Sequence, residues 1–259
     1  MGVRINTNIE ALNAQRNLNA SALQFGKSVE KLSSGLRINR AADDAAGLAI
    51  SEKLRSQVRG LNQAGRNAQD AISMVQTAEG ALNEVHSMLQ RIRELAVQYA
   101  NGTVDSDSQA SIQAEVDELQ SAISDIAAQT KFNGVDLLTG GASTDFQVGA
   151  DAGQTLTVVF GDVDTSALDV SDIDSVDTEI IAISTLRGTF GASQNRLEHT
   201  VASLAVASEN LAASESRIRD LDVAAEMVMF TKTQILQQAG VAILAQANQA
   251  PQSILALLR

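Results

Sequence analysis

The chain has 259 residues, a formal net charge of -12, 44% hydrophobic and only 3% aromatic residues, with one Pro, no Cys and no Trp. Without Cys there are no disulfides, no thiolate catalysis and no Cys-ligated zinc, and so few aromatics argue against a bulky enzyme core and for helix seams of Leu, Ile, Val and Ala. The charge is unevenly placed: residues 1 to 66 hold ten basic side chains against five acidic ones, while no Lys or Arg occurs between Lys131 and Arg187.

In that gap Asp136, Asp145, Asp151, Asp162, Asp164, Asp169, Asp172, Asp174, Asp177 and Glu179 accumulate, as on a solvated outer surface that repels its own copies and keeps an assembly soluble. The basic arm interleaves its charges with acids and offers no aromatic stacking platform, so nucleic acid is not an expected partner. No run reaches the roughly 18 apolar residues of a membrane span, so a membrane is not expected either. The start, Met1-Gly2-Val3-Arg4-Ile5-Asn6, has no apolar h-region, and no cleaved secretory signal is expected.

Asn6, Thr7 and Asn8 are N-cap types ahead of Ile9, Leu12 and Leu18, which predicts a helix from about residue 7 to Ser33-Ser34-Gly35. Its apolar positions Leu18, Ala22, Phe25, Val29, Leu32 and Leu36 step by four and three. Arg37 to Gly47 reads as a turn or short broken helix, with Asp43 and Asp44 salt-bridged to Arg37 and Arg40. A long helix then runs to Tyr99, because Leu54, Leu61, Ala68, Val75, Leu82, Leu89 and Ala96 keep seven-residue spacing, with Val58, Gly65 and Ile72, then Ala78, Val85, Ile92 and Tyr99 as a second row. Roughly fifty helical residues make a rod of about 75 Å. Asn101-Gly102 is expected to end it in the left-handed region. A third helix spans about Asp107 to Thr130, and Asn133-Gly134 turns the chain.

From Gly140-Gly141 to about Asp174 the period becomes two: Phe146 and Val148 alternate with polar neighbours, and Thr155 to Phe160 is β-branched, which predicts a hairpin joined through Gly149 to Gln154. The final helix is expected from near Val176, broken near Gly188 to Gly191, and stopped by Pro251. Within it Leu197, Leu204, Leu211 and Ile218 recur every seven residues, with Val201, Leu221 and Val228 in the neighbouring seam. The fold class is therefore mainly α, a long α-helical hairpin or coiled-coil bundle with a small β-hairpin region. An isolated amphipathic stripe cannot bury its apolar face, so the two ends pair with each other or with other copies of the chain.

Residues able to do chemistry are scarce. His86 and His199 are the only histidines; neither lies in an H-E-x-x-H helix, and both read as surface or seam residues. No P-loop, G-x-S-x-G or G-x-G-x-x-G is present. Gly149 to Gly153 lacks the ligand series of a calcium loop and reads as a hairpin turn. Met227, Met229 and Phe230 read as seam packing. No catalytic, metal-binding or cofactor-binding residue is assigned, no cofactor is expected, and the chain is not expected to be an enzyme.

Several segments are literal motifs: Ile5-Asn6-Thr7-Asn8, Leu32-Ser33-Ser34-Gly35-Leu36-Arg37-Ile38-Asn39, Asp43-Asp44-Ala45-Ala46-Gly47, Gln90-Arg91-Ile92-Arg93-Glu94-Leu95-Ala96-Val97-Gln98, Lys131-Phe132-Asn133-Gly134 and Gln147-Val148-Gly149-Ala150. To these the end adds Gly191-Ala192-Ser193-Gln194-Asn195-Arg196-Leu197, Ser216-Arg217-Ile218-Arg219-Asp220, Gln234 to Asn248 and the closing Leu257-Leu258-Arg259. Over residues 1 to about 150 and about 184 to 259 the chain resembles bacterial flagellin.

The resemblance implies a chain folded back on itself. Residues 1-45 and 218-259 would form an inner terminal coiled-coil domain, and 46-217 an outer helical-bundle domain with the β-hairpin. The acidic segment 140-179 stands where many flagellins carry large variable outer domains. It implies a structural subunit that self-polymerises into the flagellar filament, the helical propeller for swimming, exported by the flagellar type III apparatus and located outside the cell. Implied partners are further copies of itself, an export chaperone, the filament cap and the hook-filament junction proteins.

The terminal seam residues assigned to self-assembly are Ile9, Leu12, Leu18, Phe25, Val29, Leu32, Ile235, Leu236, Val241, Leu244, Leu255 and Leu258. The alternative within the same family is a hook-filament junction adaptor, against which the Gln234 to Asn248 motif and the terminal Leu-Leu-Arg speak. The resemblance also implies contact with the vertebrate Toll-like receptor for flagellin through Gln90, Arg91, Leu95, Gln98 and Glu115.

Overall fold

The computed structural model describes residues 7–141, 143–164 and 168–257, and for 250–257 the backbone alone. Its elements are α1 (Ile9–Ser34), α2 (Ala45–Tyr99), α3 (Ser106–Gln129), β1 (Lys131–Phe132), β2 (Val135–Asp136), β3 (Ser143–Gln147), β4 (Thr155–Val159), α4 (Ile173–Arg219) and α5 (Val223–Leu257). They divide between two compact units, Met1–Arg55 with Ala212–Arg259, and Ser56–Leu211. These boundaries fall within α2 and α4.

In the first unit α1 starts where expected, because the Asn8 side chain accepts the Ala11 N–H. It ends at Gly35, whose φ of 71° lets its N–H reach the Lys31 carbonyl, a conformation that costs a Cβ-bearing residue 1–2 kcal/mol, roughly. The segment after it is built differently from the expected salt-bridged turn. Asp43 accepts the backbone N–H groups of Asn39 and Arg40, which hold its carboxyl below the usual range, and Asp44 caps Gly47. Arg40 pairs instead with Glu30 at 2.8 Å, and Arg37 donates to the Ile218 carbonyl. The first-turn N–H groups of α2 lack intrahelical partners, so the Asp44 carboxylate acts as a helix cap, while Asp43 ties together the loop that precedes the helix.

The second unit holds one continuous core. Ala68, Val75, Leu82, Leu89 and Ala96 of α2 and the second-row residues Ala78, Val85 and Ile92 are all fully buried. They pack with Val116 and Ile123 of α3, Leu137 and Leu138, Leu156 and Val158 of β4, and Ile183, Phe190 and Leu197 of α4. α2 ends at Tyr99 as expected, but neither Asn101 nor Gly102 has a positive φ. The chain tightens instead, the Asn101 N–H donating to Gln98 and the Val104 N–H to Asn101. Asp105 then caps α3 by accepting the Ser108 N–H.

Asn133-Gly134, at φ 49° and 80°, joins β1 to β2 in a two-residue hairpin shorter than period-two reading detects. β3 and β4 pair antiparallel with Phe146 opposite Leu156, as the alternation predicts. The hairpin turn is held by the Gln147 amide, which donates to the Gly149 and Asp151 carbonyls.

Three expectations about the last helix are corrected. α4 starts at Ile173 and continues through Gly188 and Gly191 to Arg219. Each helical glycine costs only about 1 kcal/mol, and fully buried Phe190 between them outweighs that. The break comes at 220–222, where the backbone leaves the helix to pair with the end of α1: Arg37 N–H donates to Arg219, Leu221 N–H to Gly35, and Leu36 bridges Asp220. Asp222 then caps α5 by accepting the Ala225 N–H. Nor does Pro251 stop the chain, since α5 continues to Leu257. No helix among the described residues is long and apolar enough to cross a membrane.

Candidate functional site

The first unit is an antiparallel pairing of α1 with α5, in which each step up one helix is matched by a step down the other. The Asn8 amide donates to the Ala247 carbonyl at 2.7 Å, Leu18 lies against Gly240, and the rings of Phe25 and Phe230 stack with centroids 5.0 Å apart. Leu36 meets Asp220 at the closed end.

Burial along both helices follows the four-and-three rhythm of a helical seam. On α1 the covered positions include Ala11, Ala14, Leu18, Ser21, Phe25, Ser28 and Leu32, with Ala22, Glu30 and Lys31 beside them; on α5 they are Glu226, Phe230, Thr233, Gln237, Gly240, Leu244 and Ala247. This intramolecular seam is mostly small or polar. Many of the large apolar side chains lie outside it: Ile9, Leu12, Leu23 and Val29 of α1 and Met227, Val228, Ile235, Leu236, Val241 and Ile243 of α5 are all exposed.

The predicted seam set therefore splits. Leu18, Phe25, Leu32 and Leu244 are half-buried within the pair, whereas Ile9, Leu12, Val29, Ile235, Leu236 and Val241 face solvent. Leu258 lies outside the described residues, as does the Leu255 side chain. Val228, expected to fill a seam, is 67% exposed, because the break at 220–222 shifts the phase of the seven-residue ladder. Sequence periodicity missed Ser28 and Thr233, which are buried although polar; Thr233 returns its hydroxyl proton to the Met229 carbonyl of its own helix.

The contrast between the units is large. Among the described residues the first unit fully buries one large apolar side chain, Ile38 at 1% exposure, while all the other buried large apolar side chains belong to the second. Exposed apolar faces on this scale mark a surface completed by another protein.

The proposed receptor patch lies in the second unit. Arg91 donates to Glu115 at 2.8 Å and to Glu94 at 3.2 Å, and pairing with Glu115 first and Glu94 second raises the guanidinium above its ordinary pKa. Gln90 and Gln98 are exposed, and Gln90 contacts the His86 ring. Leu95 is a correction: at 2% exposure it belongs to the core. Four residues along a helix advance about 400°, enough to carry a side chain off the rim occupied by Arg91 and into the interior. The second histidine, His199, is exposed on α4.

Two family models match, the bacterial flagellin N-terminal helical region over residues 5–143 and the bacterial flagellin C-terminal helical region over residues 173–258. The chain belongs to the bacterial flagellin family. It is 53% identical to the flagellin of Halalkalibacterium halodurans, over 98% of this chain and 99% of that one. It is 47% identical to the flagellin of Bacillus subtilis over 99% and 100%, and 49% identical to the flagellar filament 33 kDa core protein of Treponema phagedenis over 98% and 99%. Among solved structures it is similar to Bacillus cereus flagellin at 34% identity and a TM-score of 0.50, covering 54% of this chain and 88% of that one. This flagellin is thus a structural subunit of the flagellar filament, and subunits of its family associate with one another.

Proposed function

We propose that residues 1-45 and 218-259 form the inner, subunit-to-subunit layer of an extracellular filament, with 46-217 as its outer layer. The observation that carries this is the division of apolar surface: the α1–α5 pair spends its small residues on itself and leaves Ile9, Leu12, Ile235, Leu236 and Val241 uncovered. In a helical polymer those side chains would be covered by neighbouring copies, while the acidic segment 140-179 would lie on the outside, where repulsion keeps filaments apart.

The lack of cysteine and the thin packing of the ends suit a chain that leaves the cell unfolded through the type III apparatus. It would be escorted by a chaperone and placed beneath the filament cap beyond the junction proteins. The ends gain order on polymerisation, since neighbours supply the burial that offsets the ordering entropy. Hydrogen exchange checks this: amides of α1 and α5 should exchange fast in monomer and slowly in filament, while α2 residues 68–96 are protected in both. Strong protection of both terminal helices in the monomer would overturn it.

The same reading assigns receptor contact to Gln90, Arg91, Gln98 and Glu115, with Arg91 as the multiply donating anchor. Monomer should activate the Toll-like receptor, filament should not, and Arg91→Ala should weaken binding by about 1–3 kcal/mol. Leu95→Ala acts otherwise, lowering the stability of the second unit by about 2–5 kcal/mol without removing a surface contact. Equal affinity of wild type and Arg91→Ala, measured by surface plasmon resonance, would remove the residue from the patch.

A further inference from the structure

One row of the α1–α5 seam is small or polar, Ala14, Ser21 and Ser28 facing the side of α5 that carries Thr233, Gly240 and Ala247, and such a row is nearly indifferent to slipping by one repeat, while the other row of α1, Leu18, Phe25 and Leu32, is apolar at every step and discriminates little. Such a slip would displace the outward apolar face of α5 by about 10 Å relative to α1. A subunit that must present one fixed face to its neighbours therefore needs a contact that only one register satisfies. Asn8 and Pro251 provide it.

Pro251 sits within α5 and has no N–H, so the carbonyl four residues earlier, that of Ala247, lacks its helical donor. The Asn8 side-chain amide supplies one across the seam, 2.7 Å away, while the other end of the same side chain accepts the Ala11 N–H and caps α1. Asn8 thereby satisfies the start of one helix and the gap in the other at once. A one-repeat slip would leave both the amide and the carbonyl without partners at a partly covered site.

We propose that Asn8 and Pro251 form a register clamp that fixes α1 against α5 in the assembling subunit. Asn8 is a positioning residue: it acts on assembly through the face that α5 presents. Two more contacts agree with this register, the Phe25–Phe230 stack and the close approach of Leu18 to Gly240, where a Cβ would meet the Leu18 side chain at 3.1 Å. The proposal rests on the filament reading above.

The test is a double-mutant cycle on the full chain, with the critical concentration for polymerisation as readout. Asn8→Ser keeps the N-cap, since Ser caps about as well as Asn, but removes the amide donor. Pro251→Ala restores the N–H that the Ala247 carbonyl lacks. Asn8→Ser should raise the critical concentration about fivefold, the effect of one lost hydrogen bond, and should have no effect once Pro251→Ala is present.

An equal effect of Asn8→Ser in both backgrounds would show that Asn8 does not act through the Ala247 carbonyl, and no effect in either would show that the contact carries nothing; each overturns the clamp. A wild-type chain that forms no filament would fail the assembly reading instead, and the same cycle read on thermal unfolding of the monomer would then decide the clamp. Register itself can be read independently. A Cβ at position 240 lies 3.7 Å from that of Leu18, within the range of a disulfide. Leu18→Cys with Gly240→Cys should cross-link in filaments of this otherwise cysteine-free chain, less so when either Asn8→Ser or Pro251→Ala removes the clamp, and no less again when both are present. A yield indifferent to Asn8→Ser overturns the proposal.

Discussion

Leu18→Asp or Leu244→Asp is expected to abolish filament formation while leaving the second unit folded. Leu18 is half-buried against Gly240, and Leu244 is half-buried one turn further along the same face of α5. In the free monomer a carboxylate at either place can swing toward water. In a polymer, neighbouring copies close that route, and an unpaired buried carboxylate costs several kcal/mol, roughly, in every subunit. Polymerisation repeats the penalty at each addition, so the critical concentration rises beyond reach. The core from Ala68 to Leu197 is built wholly from the second unit and should keep its wild-type circular dichroism and unfolding midpoint. Sedimentation and electron microscopy decide the matter. Filaments of normal length from either variant would mean that its position faces water, as a residue lining a central channel would.

The periodicity of α2 was fully legible because its seam is made of large aliphatic residues: Val75, Leu82 and Leu89 are apolar at every seventh place and all are buried. In α5 the same reading marks mainly the face that pairing with α1 leaves uncovered. Besides Phe230 and Leu244 the covered positions there are Glu226, Thr233, Gln237, Gly240 and Ala247, which carry little hydropathy signal, while Ile235, Leu236 and Val241 face outward. A monomer stripe and an assembly stripe look alike in sequence, since both are apolar at helical spacing. What separates them is the partner, and that is set by long-range pairing. The break at 220–222 was hidden for a similar reason. Its cause is a backbone exchange with residues 35–37, whereas the glycines at 188 and 191, the local signal, were overridden by the burial of Phe190. Leu95 was misplaced because its neighbours in sequence, Glu94 and Arg91, are surface residues, and only the packing of α2 shows that Leu95 turns inward.

Phe190→Ala is expected to be the most destabilising single truncation in the second unit, lowering its unfolding free energy by about 3–5 kcal/mol. The ring is fully buried and lies 5.5 Å from that of Phe160 at an interplanar angle of 59°, a tilted arrangement that adds edge-to-face attraction to the lost burial. The site is also poorly able to relax. Gly188 and Gly191 flank it on α4 and contribute no side chain that could fall into the cavity, and they weaken the helix that the ring holds in place. Loss of the ring should therefore both open a void and loosen the surrounding turn, so that amides around 186–194 exchange faster than those near Leu82. Gly188→Ala offers the converse: a Cβ there meets nothing within 4 Å, the backbone is helical, and the substitution should return about 0.5–1 kcal/mol in either background. Urea unfolding of the monomer, followed by circular dichroism, measures both changes. A loss below about 1 kcal/mol for Phe190→Ala, with an unchanged denaturant slope, would show that the glycine-flanked stretch of α4 is held by something other than this aromatic pair.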